Sequence, residues 1–179
     1  SGRSIQTADI VLEKTGQKAV PLKTDWRLRE FNFGTYEGDL NHTMWTDIAK
    51  SQGKTLEEWQ AAGISPKDFA NSVAALDKGR DPEGLNWPAE DYETITKRLK
   101  AGIDEIAKES ARKGGGNVLI VSHGLSITAL VNTLDPELNV PAGLKNASVT
   151  KVIYKNGKYE IKEVGDMSFV ELGQKLGGK

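Results

Sequence analysis

The chain has 179 residues, enough for one domain with a sizeable core. Its 24 Lys plus Arg against 25 Asp plus Glu give a formal net charge of -1, which speaks against nucleic acid or an anionic membrane as a partner. It contains no cysteine, so disulfides, thiolate nucleophiles and cysteine metal sites are excluded, and no run of about 18 apolar residues reads as a transmembrane helix. The missing cysteine is compatible with either the cytoplasm or an extracellular site. No stretch reads as a signal peptide; the cytoplasm is the expected location, with a signal on a segment preceding Ser1 as the alternative.

The first element is a helix over Arg3–Lys14, where Ile5, Ala8 and Leu12 make one apolar stripe and Gly16 is placed to end it. Ala19–Leu22 suits a short strand. From Trp26 to Gly38 aromatic and polar residues alternate without a helical period, which predicts a structured loop with bulky anchors, a kind of loop that often carries function. Residues 41–79 form a unit of short helices capped by Asn41 or Thr43, by Thr55, and by Ser65 followed by Pro66. This region, extended to about residue 87, is expected to pack as a helical cap, with Trp45, Trp59 and Trp87 as candidate walls of a specificity pocket. The turn Arg80–Gly84 ends the short helices.

Pro88 opens the longest predicted helix, with Tyr92, Ile95, Leu99, Ile103 and Ile106 on one face and charges that read as a solvated face. Gly114, Gly115 and Gly116 then separate it from Val118-Leu119-Ile120-Val121, an apolar run that predicts a strand buried on both faces of a parallel sheet. Ser122-His123-Gly124 follows, before a helix of about ten residues running to Asp135-Pro136. His123 therefore falls where a strand's carboxyl end meets a helix amino end, the place where open α/β sheets bind ligands and anions. Ser148–Tyr154 and Lys158–Val164 flank Asn156-Gly157, a hairpin signal. The tail from Gly173 to Lys179 is expected to fray.

Few residues can carry chemistry. The two histidines, His42 and His123, lie far apart, which argues against a zinc site of familiar spacing, and His42 suits a surface or capping role. No P-loop, dinucleotide fingerprint or nucleophile elbow is present. Arg3 could hold a phosphate with its planar fork, though an arginine so placed is more often a solvated surface group. Glu30, inside the aromatic loop, could serve as a general acid; the alternative is a salt bridge to Arg27 or Arg29. Glu37 competes as the carboxylate, but a Glu-Gly turn reads more naturally as backbone geometry.

Together these pieces resemble the histidine phosphatase superfamily, or phosphoglycerate mutase-like family. Arg3-Ser4-Ile5-Gln6-Thr7-Ala8 is similar to its R-A-x-Q-T-A helix start, Leu28–Gly38 to its L-x-E-x-x-F-G-x-W-E-G loop, and Val118–Gly124 to its strand ending in S-H-G. The resemblance spans roughly Arg3 to Tyr154 and implies an α/β fold, a three-layer α/β/α arrangement around a mostly parallel central sheet. It also implies phosphoryl transfer through a phosphohistidine, without metal or other cofactor. Arg3 then resembles a phosphate-clamping arginine and Glu30 the general acid. His123 resembles the second histidine that binds the transferring phosphoryl group, helped by the Gly124 backbone.

The family's first motif, Arg-His-Gly after the first strand, is absent from these 179 residues. The expectation is that a segment carrying strand one and the nucleophilic histidine precedes Ser1, and that residues 1–179 alone are inactive. The leading expectation for the complete protein is a phosphatase acting on a small phosphomonoester. A mutase-type phosphotransferase, a non-catalytic phosphate-binding or interaction module, and a structural α/β domain are the alternatives. Partners are expected to be a small phosphorylated substrate or inorganic phosphate, with no nucleic acid and no membrane; a homodimer is an assembly compatible with this class.

Overall fold

The computed structural model describes residues 2–138, 140 and 143–177. Helix α1 spans Gly2–Lys14, and Gln17 N returns to Leu12 O at 2.9 Å across Gly16, whose φ of +70° lets the chain reverse. Residues 19–22 form no strand. The aromatic loop contains two 3-10 turns, Trp26–Leu28 and Gly34–Tyr36. Asp25 caps the first by accepting from Arg27 N at 2.9 Å.

Three helices follow: α2 (Asn41–Ser51), α3 (Leu56–Ala61) and α4 (Pro66–Arg80). Thr55 and Glu58 form a reciprocal capping box on α3, and Ser65 caps α4 ahead of Pro66. At α2 the residue in the capping position is Leu40, with no side-chain bond, so neither Asn41 nor Thr43 caps it. Met44, Ile48, Trp59, Phe69 and Val73 share one apolar cluster with Phe31 and Tyr36 of the aromatic loop and with Ile95, Leu99 and Ala129. Side chains as fully buried as Ile48 and Leu99 each contribute about 1.5–3 kcal/mol relative to exposure. Trp59 belongs to this cluster and also lines a surface pocket with Ser65, Asp68 and Leu76, while Trp45 packs against the cluster.

The longest helix, α5, runs Tyr92–Arg112 and is capped by Asp91, which accepts from Thr94 N at 2.8 Å. It starts four residues after Pro88, because Asp91 takes the capping position and the Glu90 backbone N–H donates to Asn32 O of the aromatic loop at 3.0 Å. Its charges are not all solvated: Arg98 is buried in the same stripe as Ile95, Leu99 and Gly102. Helix α6 spans Gly124–Leu134, and the hairpin pairs β1 (Val149–Lys155) with β2 (Lys158–Asp166). Asn156 and Gly157 both have positive φ, 53° and 77°, as a two-residue primed turn requires. Tyr154 faces Tyr159 across the ladder with ring centroids 4.9 Å apart. Helix α7 (Ser168–Gly177) makes the expected frayed tail helical as far as Gly177; Gly178 and Lys179 lie outside the described residues.

The architecture is α/β and rich in helix. Among the described residues the sheet is the antiparallel β1–β2 ribbon, in place of the mostly parallel central sheet expected. Val118–Val121 joins no ladder, and Val118 and Leu119 are 53% and 66% exposed rather than buried on both faces. An apolar β-branched run supplies only the tendency to extend. A strand also needs a neighbouring backbone to pair with, and a pattern within four residues cannot reveal whether one lies alongside.

Candidate functional site: a histidine, a carboxylate and an arginine at the start of α6

His123 is the capping residue of α6, with extended backbone (φ -123°, ψ 155°), and its carbonyl accepts the helix's opening bond from Ile127 N at 2.8 Å. Its ring makes no cap bond and turns toward α1 instead, where its Nε2 lies 3.2 Å from Ser4 Oγ. Burial pushes its pKa below the usual imidazole value; the Glu30 carboxylate pulls it back up, and the Arg3 guanidinium pushes it down again. The three residues singled out from sequence thus fall within electrostatic reach of one another, though 120 positions separate Arg3 from His123 in the chain.

Glu30 reaches α6 from the aromatic loop. Its Oε1 accepts from Ser126 N at 3.1 Å and from Ser126 Oγ at 2.9 Å, so it does for α6 what a capping side chain of its own would do. The salt-bridge alternative for Glu30 fails. Arg27 is bound to Asp25 and Glu105, Arg29 to Glu90, and among the described residues Glu30 has no cationic partner. Arg3, exposed in the first turn of α1, likewise forms no ion pair among the described residues. Gly124 opens α6; a Cβ there would meet Leu144 O at an ordinary 3.6 Å, so what it offers the site is its backbone N–H rather than clearance. Glu37 bonds Phe33 N at 3.0 Å and His42 stays exposed on α2 beside Thr46, so neither belongs to the site.

Residues that sequence reasoning missed hold the site in place. Ser122 Oγ donates to Leu28 O at 2.7 Å and Ser126 Oγ lies 2.8 Å from Arg29 O, tying the α6 turn to the aromatic loop on both sides of His123. From the other side Arg98 spends all five guanidinium N–H groups. Nη1 donates to Arg27 O at 2.8 Å and Arg29 O at 2.9 Å, and Nη2 donates to Glu30 O at 2.9 Å. Nε and Nη2 form a bidentate pair with Glu90 at 2.8 Å each. Glu90 in turn accepts from Arg29 Nη2 at 2.6 Å and Asn32 N at 3.1 Å. A signal for Arg98 was present: it stands three residues after Ile95, on the apolar stripe, where a charge is tolerated only with partners.

At the far end of the loop Asp77 accepts from Thr35 N and Thr35 Oγ1, both at 2.7 Å, and from Ala89 N at 2.8 Å. Gly34, with φ +59°, passes so close to that carboxylate that a Cβ would lie 2.3 Å from Oδ2. Both ends of the loop are therefore fixed by buried polar groups, and Glu30 sits between them.

The family model described as "Histidine phosphatase superfamily (branch 1)" matches residues 1–78 and 50–167. A 2,3-bisphosphoglycerate-dependent phosphoglycerate mutase of Borrelia garinii is 30% identical over 162 residues, covering 79% of this chain and 61% of that protein. A probable phosphoglycerate mutase of Yersinia enterocolitica is 29% identical over 179 residues, covering 96% of this chain and 70% of that protein. The crystal structure of phosphoglycerate mutase from Bacillus anthracis aligns with a TM-score of 0.85 at 41% identity, covering 97% of this chain and 73% of that one. The chain thus spans about three fifths of the length of the Borrelia enzyme. With sequence motifs, fold likeness and family model in accord, the chain belongs to the histidine phosphatase superfamily.

Proposed function

We propose that the protein is a phosphotransferase of the phosphoglycerate mutase type, moving a phosphoryl group between hydroxyls of a small phosphorylated acid through a phosphohistidine. The observation that carries this reading is the convergence of Arg3, Glu30 and His123 at the start of α6, with Arg3 and Glu30 left out of ion pairs among the described residues. The names of the relatives favour the mutase over a simple phosphatase.

Arg3, His123 and the Gly124 N–H hold the phosphoryl oxygens and offset their negative charge, which is most of what phosphoryl transfer asks of a protein. A histidine nitrogen from beyond residues 1–179 attacks phosphorus. As the P–O bond to the substrate breaks, Glu30 gives its proton to the leaving oxygen. The return step mirrors the first. An acceptor hydroxyl attacks the phosphohistidine and gives its proton to Glu30, and the histidine is released. Water in the acceptor's place gives phosphatase activity, a second reading favoured by the loop Phe33-Gly34-Thr35-Tyr36-Glu37-Gly38, which resembles the phosphatase branch.

The test is rapid acid-free quenching of the natural protein with radiolabelled 2,3-bisphosphoglycerate. Base-stable, acid-labile label on histidine is expected, together with interconversion of 3- and 2-phosphoglycerate faster than release of phosphate. His123→Ala should lower turnover by about 100-fold or more. Faster phosphate release than interconversion would make it a phosphatase. Absence of both label and turnover would leave a phosphate-binding module.

A further inference from the structure

The Glu30 carboxyl is held by one of its two oxygens. Oε1 accepts from Phe31 N at 3.1 Å, Ser126 N at 3.1 Å and Ser126 Oγ at 2.9 Å, whereas Oε2 accepts no hydrogen bond among the described residues. Ser126 is 1% exposed, and its hydroxyl lies between two acceptors, Glu30 Oε1 and Arg29 O, the latter 2.8 Å away. A hydroxyl has one proton, so it can donate to only one of them at a time.

The charge on Glu30 decides which. With Glu30 ionised, the carboxylate is the stronger acceptor and the hydroxyl turns to Oε1. With a proton on Oε2, Oε1 becomes an ordinary carbonyl and the hydroxyl is free to turn to Arg29 O. Neither state leaves a buried acceptor empty, because Oε1 keeps two backbone N–H donors and Arg29 O keeps Arg98 Nη1 at 2.9 Å. Ser126 also stands three residues after His123, in the first turn of the helix that His123 begins.

Resting on the phosphoryl-transfer reading above, we propose that Ser126 is a positioning residue for the general acid. Its backbone N–H, joined by its hydroxyl when Glu30 is ionised, pins Oε1 to the first turn of α6, so that Oε2 is the oxygen that gives up and regains the proton, and the carboxyl and the His123 ring are set on one rigid element. A single turn of helix then sets the distance between the group that holds the phosphoryl oxygens and the group that protonates the leaving oxygen.

Dependence on the leaving group tests this. An alkyl phosphate such as phosphoglycerate expels a poor leaving group that needs the proton, while 2,4-dinitrophenyl phosphate expels a stable anion that does not. In the natural protein, Ser126→Ala should lower kcat on phosphoglycerate by about tenfold or more, with the burst rate of the first dinitrophenolate released, which reports phosphorylation alone, within about threefold of wild type. The retained rate on the activated ester also reports that the variant has folded. If Ser126→Ala does not fold, Ser126→Cys fills the same space with a weak donor and should show the same selective loss. Glu30→Gln separates the two levels of inference. If it loses phosphoglycerate turnover selectively while the Ser126 variants lose both substrates equally or neither, the role of Ser126 is overturned and the general acid stands. If Glu30→Gln shows no selective loss, the acid assignment falls and this proposal falls with it.

Discussion

Glu30 and Glu90 are the same side chain in opposite surroundings. Glu90 is buried against two arginines, with both oxygens occupied: Arg98 and Arg29 on Oε1, Arg98 and Asn32 N on Oε2. Glu30 has three neutral donors on one oxygen and no cation paired with it among the described residues. The two carboxylates belong to one construction, since the Arg98 fork that neutralises Glu90 also binds the carbonyl of Glu30. Saturating a charge fixes it in place and removes it from chemistry. Glu90 is held in that way, whereas Glu30, the proposed general acid, has no such cation paired with it among the described residues.

The largest effect should come from breaking the saturated side. Arg98→Ala strips Glu90 of its bidentate partner and removes the guanidinium donors from three loop carbonyls, of which Arg29 O still has Ser126 Oγ. Removing one partner of a buried ion pair typically costs 3–5 kcal/mol, and because Arg29 still reaches Glu90 a value of about 3 kcal/mol is expected from urea unfolding. Arg98→Lys should recover less than half of that, because an ammonium cannot span Glu90 and the carbonyls at once. A loss below about 1 kcal/mol in Arg98→Ala would mean that the clamp does not hold the loop.

The unsaturated side should answer in the opposite way. Glu30→Gln keeps an acceptor oxygen for Ser126 and removes no ion pair, so unfolding free energy should change by less than about 1 kcal/mol. Turnover of phosphoglycerate should fall by about 100-fold, within the usual contribution of a general acid. Measured together, the two variants should separate stability from activity: Arg98→Ala loses chiefly the first, Glu30→Gln chiefly the second. A Glu30→Gln variant as unstable as Arg98→Ala would merge the two regions into a single structural network.

Arg3, Glu30 and His123, which the structure brings within electrostatic reach of one another, were singled out because three short motifs in the right order resemble one family, each motif alone being weak. The caps at Thr55 and Ser65 and the Asn156-Gly157 turn were legible locally: a side chain or a positive φ within four residues decides them. Glu90, Arg98, Ser122 and Ser126 were not, because the bonds that tie them to the aromatic loop span 58 to 97 positions, as from Asn32 N to Glu90 and from Ser126 Oγ to Arg29 O. Val118–Val121 failed from the same cause in reverse. Its local pattern is that of a strand, but pairing depends on a second segment that the pattern does not encode.

The smallest effect is also the most direct reading of the site's geometry, the titration of His123. Its pKa lies below the ordinary imidazole value of 6.5, burial being the main cause, with Glu30 opposing and Arg3 reinforcing. Proton NMR should show an imidazole titration that disappears in His123→Ala, which assigns it. Removing the opposing charge, in Glu30→Gln, should lower the His123 pKa further. Removing the reinforcing one, in Arg3→Ala, should raise it, and inorganic phosphate bound beside the ring should raise it as well. The sign carries through to stability. Because the unfolded chain protonates this imidazole more readily than the folded one does, folding loses stability as pH falls through about 6.5. Bound phosphate should reduce that loss by favouring the imidazolium in the folded state. Shifts of the same sign in Glu30→Gln and Arg3→Ala would mean that the two charges do not face His123 together, and the comparison between a neutralised and an unneutralised carboxylate would lose its centre.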